Sequence, residues 1–237
     1  MRRRVLLLVA AMFAVALLWC AAFLYTVRPA WLVSRFYAVR GVDVSRYQGE
    51  IDWGWLSRGL SFAFIKATEG ASTIDPYFAL NFEGADKAGL VTGAYHFLTY
   101  KTPGEVQAAN FISAVGDLHG RLPPVVDVEL YGDFSDVPPS LEAVRAILDP
   151  LLRQLETRYG AKPILYASPI TYKLYVRDDY SGYPLWIRNV TADPGVPFAF
   201  WQHSDKGLLP GYSGPEKHID LNVFSGTEKE LRAMLIP

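Results

Sequence analysis

The hydrophobic pattern divides this chain into two regimes. Residues 5–27 are apolar almost throughout and contain no charge, glycine or proline. From residue 40 onward, short apolar runs of strand length alternate with amphipathic or capped segments. This alternation predicts strands over 40–44, 62–67, 91–97, 124–129, 164–168, 184–188, 198–203 and 218–223. It predicts helices over 75–88, 105–116 and 140–159. The second helix follows Thr102-Pro103-Gly104 with Glu105 in its first turn, and the third follows Pro139-Ser140 with Glu142. Helical signal thins after residue 176, where strands succeed one another across Pro- and Gly-rich loops. Strands alternating with helices imply a parallel sheet. Eight strands in one domain imply closure into a (β/α) barrel of the TIM type. An open doubly wound sheet is the alternative, but no Gly-x-Gly-x-x-Gly follows any strand.

The opening apolar run has the length of a bilayer span, about 20 residues, whereas the apolar core of a signal peptide is shorter. Arg2-Arg3-Arg4 before it favour a cytoplasmic N-terminus, which places the remainder outside the inner face of the membrane. No small-x-small cleavage site ends the run, although Ala21-Ala22 leave cleavage and secretion open. Bulky Trp19 disfavours lipidation of Cys20. The expected organisation is a signal anchor over 1–27, a juxtamembrane spacer over 28–39 and a catalytic barrel over 40–237.

Composition narrows the function. A net charge of −1 provides no basic face for nucleic acid. The single cysteine lies inside the apolar run, so thiol catalysis and disulfides are excluded from the barrel. His96, His203 and His218 lack metal-ligand spacing, so no metal site is expected and no cofactor is implied. Aromatic residues reach 14%, a content that suits a sugar cleft as well as a large core.

Chemistry enters with Pro123-Pro-Val-Val-Asp-Val-Glu-Leu130. Side chains two apart on a strand share a face, so Asp127 and Glu129 stand together at the end of an apolar segment. Crowded carboxylates raise at least one pKa, an arrangement suited to acid/base work at a glycosidic bond. The alternative is a helix cap followed by a solvated glutamate. Other strand ends carry polar or aromatic residues as well: Asp43, Lys66, Tyr95, Tyr166, Trp186 with Arg188, Gln202 with His203, and Asp220 with Asn222. Capping favours Ser, Thr, Asp and Asn, so it does not account for Tyr, Trp and Gln at these positions. The ends of barrel strands are where such folds hold their chemistry.

The run Gly41-Val-Asp-Val-Ser-Arg-Tyr-Gln-Gly-Glu-Ile-Asp-Trp53 resembles the opening strand of the family 25 glycoside hydrolases, the Chalaropsis-type lysozymes. Phe64-Ile-Lys-Ala-Thr-Glu-Gly70, Gly93-Ala-Tyr-His-Phe97, Val126-Asp-Val-Glu129, Leu165-Tyr-Ala-Ser168, Leu185-Trp-Ile187, Trp201-Gln202 and Ile219-Asp-Leu-Asn-Val-Phe224 follow in the family's order. The resemblance covers residues 40–237 and implies a modified (β/α) barrel whose late strands lack full helices. By position it implies Glu129 as proton donor, Asp127 as its neighbouring carboxylate, and Asp43 and Asp220 as two further acids of the cleft. It implies Tyr95, Tyr166, Trp186 and Gln202 as lining of the sugar subsites. Arg188 stands where the family has a small residue and His203 where a Tyr is usual; Arg188 could meet the lactyl carboxylate of a muramyl sugar.

The implied activity is that of a muramidase, cutting the β-1,4 bond between N-acetylmuramic acid and N-acetylglucosamine in peptidoglycan glycan strands. A nucleophilic Asp127, an Asp127 that activates water, and attack by the sugar's own 2-acetamido group all remain open, with the spacing leaning to the last. Two other functions compete. One is an inactive peptidoglycan-binding barrel, and the other is a hydrolase of another 2-acetamido glycan. Oligomeric state has no signal in the sequence.

Overall fold

The structure is a computed structural model describing residues 2–237, with side chains at Leu6 and from Val9 onward. Helix α1 (Arg2–Val27) opens the chain. At 1.5 Å per residue it is about 39 Å long, enough for the roughly 30 Å hydrocarbon core of a bilayer. Its window Val9–Val27 is long and apolar enough to cross a membrane, and none of it is buried against the rest of the protein.

After the short helix α2 (Ala30–Val33) the strands and helices alternate as β1 (Arg40–Val44), α3 (Trp53–Leu56), β2 (Phe62–Glu69), β3 (Thr73–Ile74), α4 (Phe78–Lys87), β4 (Val91–Phe97), α5 (Gly104–Val115), β5 (Val125–Val128) and α6 (Leu141–Tyr159). Then come β6 (Ile164–Ala167), α7 (Pro169–Thr171), β7 (Leu185–Arg188), β8 (Phe200–Gly207), β9 (Ile219–Phe224) and α8 (Glu228–Ala233). The strands hydrogen-bond in the order β1-β9-β8-β7-β6-β5-β4-β2, and a β1–β2 pairing closes them into an eight-stranded barrel. Strand β3 is a small antiparallel flap on the end of β2.

The expectation of a wholly parallel sheet needs one correction. Strand β9 runs antiparallel to both of its neighbours, β1 and β8. A parallel return requires a crossover of a dozen or more residues, usually helical. The β8–β9 connection over 208–218 contains no helix, so the chain simply turns back. Helical signal thins after 176 as expected, and a short six-residue helix still closes the chain. Thr227 and Glu230 form a reciprocal capping box that starts α8, a start signal legible in Thr-x-x-Glu. Its Leu231 closes the lower end of the barrel beside Val39 and Phe224.

Strand alternation sorts the apolar residues into two cores. Outward positions such as Ala63, Ile65, Val126, Leu165 and Ile187 pack against the surrounding helices. Inward positions Phe62, Phe64, Trp186, Phe200 and Phe224 fill the lower barrel with rings. Phe64 stacks on Trp186 with centroids 4.3 Å apart and meets Phe200 edge-on at 5.0 Å. Gly93 makes room for this plug, because a Cβ there would lie 2.5 Å from the Phe64 ring. The barrel floor is therefore solid, and the strands offer their inward positions one layer higher for chemistry.

Helices α5 and α6 pack against each other, and α5 also packs on β2. Ser140 caps α6 by accepting a hydrogen bond from the Ala143 N–H. Gly104 starts α5 directly against α6, where a Cβ would sit 1.9 Å from the Ile147 carbonyl oxygen and 3.0 Å from the Leu151 nitrogen. These are backbone atoms and cannot swing aside. Gly104→Ala is expected to destabilise the barrel by about 3 kcal/mol, the upper range for overpacking. Urea unfolding that shows an unchanged midpoint would contradict this account of the contact.

Candidate active site

Above the aromatic floor lies a cavity of about 400 Å³, whose lining includes Asp43, Asp127, Glu129, Tyr166, Arg188 and Asp220. Each comes from an inward position at the same end of the barrel. Register places Asp127 opposite Tyr166, Arg188 opposite Gln202, Gln202 opposite Asn222, and Asp43 opposite Asp220. Because β9 is reversed, Asp220 reaches this end from the start of its strand rather than from its finish. Tyr95, Trp186 and Gln202 also line the cavity.

One cluster is built around Asp43. Its Oδ1 accepts hydrogen bonds from Gln202 Nε2 at 2.9 Å and Asn222 Nδ2 at 2.6 Å. Gln202 Nε2 also donates to Asp220 Oδ2 at 3.2 Å, while the Tyr166 hydroxyl donates to Gln202 Oε1 at 2.9 Å. Trp186 Nε1 donates to Asn222 Oδ1 at 2.8 Å, which fixes the amide so that its nitrogen faces Asp43. Burial raises the pKa of Asp43, and the Asn222, Gln202 and Asp220 hydrogen bonds oppose that rise. Asp220 is pushed up to about 9 by burial first, then by the charge of Asp43 and its hydrogen bond. Asp220 therefore carries the proton at neutral pH, beside an Asp43 whose own rise is opposed by its hydrogen bonds.

This assignment has a thermodynamic consequence. A carboxyl group raised in the folded state binds a proton that the unfolded chain has released, so stability falls as pH rises through the interval between the two pKa values. For Asp220 that interval runs from the ordinary carboxylate pKa up to about 9. Asp220→Asn is expected to flatten the decline, gaining stability over wild type progressively above about pH 4. Thermal melts at stepped pH check it, and a gap between the two proteins that narrows as pH rises would refute the protonation pattern.

The second cluster is the predicted pair. Asp127 is buried on β5, and Glu129 follows just beyond the end of the strand on the same face. Asp127 Oδ1 is buried without a hydrogen-bond partner. Burial raises the Asp127 pKa well above the ordinary range, with the Glu129 charge adding to it and Lys66 opposing. Glu129 is raised by burial, against the lowering effect of Arg188 and with a further rise from Asp43. The Tyr100 hydroxyl donates to the Glu129 carbonyl at 3.0 Å and holds the backbone in place. Two carboxyls that resist ionisation side by side in a polar cavity are equipped to give and take a proton.

A β-bulge between Lys66 and Thr68 shifts the register of β2. It brings Lys66 and Glu69 to one face, where they pair at 2.7 Å, with the Lys66 ammonium 4.9 Å from the Phe97 ring centre. It also turns Thr68 outward to His96, whose ring nitrogens meet Thr68 Oγ1 at 2.7 Å and Gln107 Oε1 at 3.0 Å. His96 is thus a satisfied residue between barrel and helix, its pKa lowered by burial to about 4, and not a cleft residue. His203 also faces away from the cavity, against the Trp201 ring at 5.8 Å. Asp52 occupies the cap position of α3 without making a side-chain capping bond. Arg188 pairs with Asp205 at 2.9 Å on the cavity rim. Asp205, Gln48, Glu216 and His218 line the cavity without having been expected there. They lie on loops or on the bulged extension of β8, where period-2 reasoning has no purchase. Among the described residues no group of three or more His, Cys, Asp or Glu is arranged to hold a metal ion.

Comparison with known proteins agrees with this geometry. The family model for glycosyl hydrolases family 25 matches residues 42–212. The Escherichia coli K12 protein YegX, itself uncharacterised, is 36% identical over 209 residues, spanning 84% of this chain and 74% of its own length. Lysozyme M1 of Streptomyces globisporus is 30% identical over 218 residues, covering 83% of this chain and 71% of that protein. The solved structure of a family 25 glycosyl hydrolase from Bacillus anthracis superposes with a TM-score of 0.77 at 44% identity, over 83% of this chain and 93% of that one. A barrel whose paired acids meet above an aromatic floor, matched along most of its length, belongs to glycosyl hydrolase family 25 and is a glycoside hydrolase.

Proposed function

We propose that this protein is a muramidase that hydrolyses the β-1,4 bond between N-acetylmuramic acid and N-acetylglucosamine in peptidoglycan. The observation that carries the reading is the placement of Asp127 and Glu129 on one face of the cavity, both held above the ordinary carboxylate range. The substrate follows from likeness to proteins named lysozyme and N,O-diacetylmuramidase.

In this mechanism Glu129 donates its proton to the glycosidic oxygen as the bond to the anomeric carbon breaks. Asp127 accepts the N–H of the 2-acetamido group through its unpartnered Oδ1. The acetamido oxygen, so oriented, attacks the anomeric carbon and forms a cyclic oxazolinium. Glu129, now a carboxylate, takes a proton from water, whose oxygen opens the ring and regenerates the acetamide. Two displacements give net retention. Asp43, Tyr95, Tyr166, Trp186, Gln202 and Asp220 shape and polarise the floor beneath the sugar, and Arg188 offers a cation at the rim for an acidic substituent.

Action is extracytoplasmic. The finer reading is a single-pass anchor over residues 1–27 in the inner membrane, followed by a spacer over 28–39 and the barrel over 40–237 on the outer side, supported by the length and apolarity of α1. Digestion of purified peptidoglycan, followed by borohydride reduction and mass spectrometry, tests the activity. Muramitol ends are expected; glucosaminitol ends, or intact glycan, would refute it. NMR of the first-formed anomer tests the route, which net inversion would exclude.

A further inference from the structure

Residues 28–36 do not hang free between α1 and the barrel. Helix α1 ends at Val27, and Arg28 turns the chain at once with a φ of 46°. The Arg28 guanidinium pairs with Asp193 at 2.7 Å, and its carbonyl accepts the Asp193 N–H at 2.9 Å. Pro29 bridges to Ala192, and the Ala30 N–H donates to the Thr191 carbonyl at 3.1 Å. Ala30, Val33 and Ser34 are buried, with Ala30 and Val33 in the outer core that includes Trp201 of β8. No free residue thus separates the apolar helix from a segment bonded to the catalytic domain.

The same segment turns its largest apolar side chains outward. Trp31 is 59% exposed and Phe36 82% exposed, and Tyr25 on the last turn of α1 is exposed as well. The Arg35 guanidinium lies 5.7 Å from the Trp31 ring centre. Buried alanine and valine on one side, with exposed tryptophan and phenylalanine on the other, make no sense for a tether in water. They suit the boundary of a bilayer, where aromatic rings settle at the headgroup level and arginine reaches the phosphates.

We infer that residues 28–36 form a rigid bracket whose Trp31, Arg35 and Phe36 dock on the headgroup layer of the membrane, holding the barrel at a fixed attitude against the bilayer. Continuity with α1 identifies the occupant of this face as lipid, and the inference rests on the reading of α1 as membrane-spanning. Arg188 on the cavity rim precedes Thr191 by three positions, so the bracket is tied to the loop that leaves that rim. The enzyme would then act on glycan strands lying close to the bilayer rather than sweeping the wall on a flexible leash.

The test uses the full chain in vesicles of phosphatidylethanolamine and phosphatidylglycerol. An environment-sensitive fluorophore is placed, in a Cys20→Ser background, at Met12→Cys, Trp31→Cys, Phe36→Cys or Arg153→Cys, all exposed positions. Quenching is read with nitroxide-labelled lipids. Blue-shifted emission and quenching by a headgroup-proximal nitroxide are expected at 31 and 36, with water-like emission at 153 on α6. Lipid quenching at 12 with water-like emission at 31 and 36 overturns the bracket and leaves the anchor standing. Water-like emission at 12 removes the anchor and the bracket together. Lipid-like emission at 153 overturns the fixed attitude.

Discussion

Glu129→Gln is expected to reduce turnover on peptidoglycan by about a thousandfold or more while the protein folds as before, since a positioned general acid is worth roughly 10²–10⁴. The cavity explains both halves of this result. Glutamine has the shape of glutamate and keeps a polar contact with the cleft, so the barrel loses nothing in packing. It has no proton to give the leaving oxygen. The raised pKa of Glu129, set first by burial, keeps that proton in place toward neutral pH. Arg188 opposes the rise, and Arg188→Ala should accordingly shift the alkaline limb of the rate profile upward. Reducing-end release from purified sacculi, paired with a thermal melt, measures the main effect. A Glu129→Gln variant within about tenfold of wild type would remove Glu129 from the role of acid, since a positioned general acid contributes more than that.

The second large effect separates activity from stability. Asp127→Asn should lose roughly a hundredfold or more in rate, since an amide cannot ionise to offset the positive charge that develops on the acetamido group as the oxazolinium forms. The same change should stabilise the fold at neutral and alkaline pH. Asp127 is buried with Oδ1 unpartnered and its pKa well above the ordinary range. In the unfolded chain it ionises near pH 4, so the folded state is penalised by an amount that grows as pH rises from there. Asparagine has no such proton to lose. Melting curves of the two proteins should therefore nearly coincide at about pH 4 and separate, variant higher, toward about pH 8. A variant that is active, or one that melts lower at every pH, would contradict the role given to this side chain. Such opposition between rate and stability is expected where a site stores unfavourable burial for chemistry.

Much of this molecule is legible in the chain itself, for local reasons. Strand period alone puts Asp127 and Glu129 on one face, and Phe62, Phe64 and Lys66 on another strand's inner face. Apolar runs of strand length separated by capped helices point to a barrel once eight of them share a domain with no dinucleotide-binding glycine motif after any strand. Residues 5–27 declare their apolar length without any reference to the rest. Asp43 and Asp220 are recognisable as members of the site by resemblance.

Tertiary structure decided how those residues act on one another. The direction of β9 depends on how 208–218 return the chain, a matter of connection rather than period, and it determines that Asp220 meets Asp43 at all. The meeting of Lys66 with Glu69, and the outward turn of Thr68 to His96, hinge on one bulge in β2 that no alternation pattern contains. Protonation is decided last, because it depends on burial and on partners 159 and 179 positions away, Gln202 and Asn222 around Asp43. The sequence determined which side chains a strand could present to the cavity. Only closure of the barrel, by stripping water from those carboxyls and setting them side by side, decided which of them hold a proton.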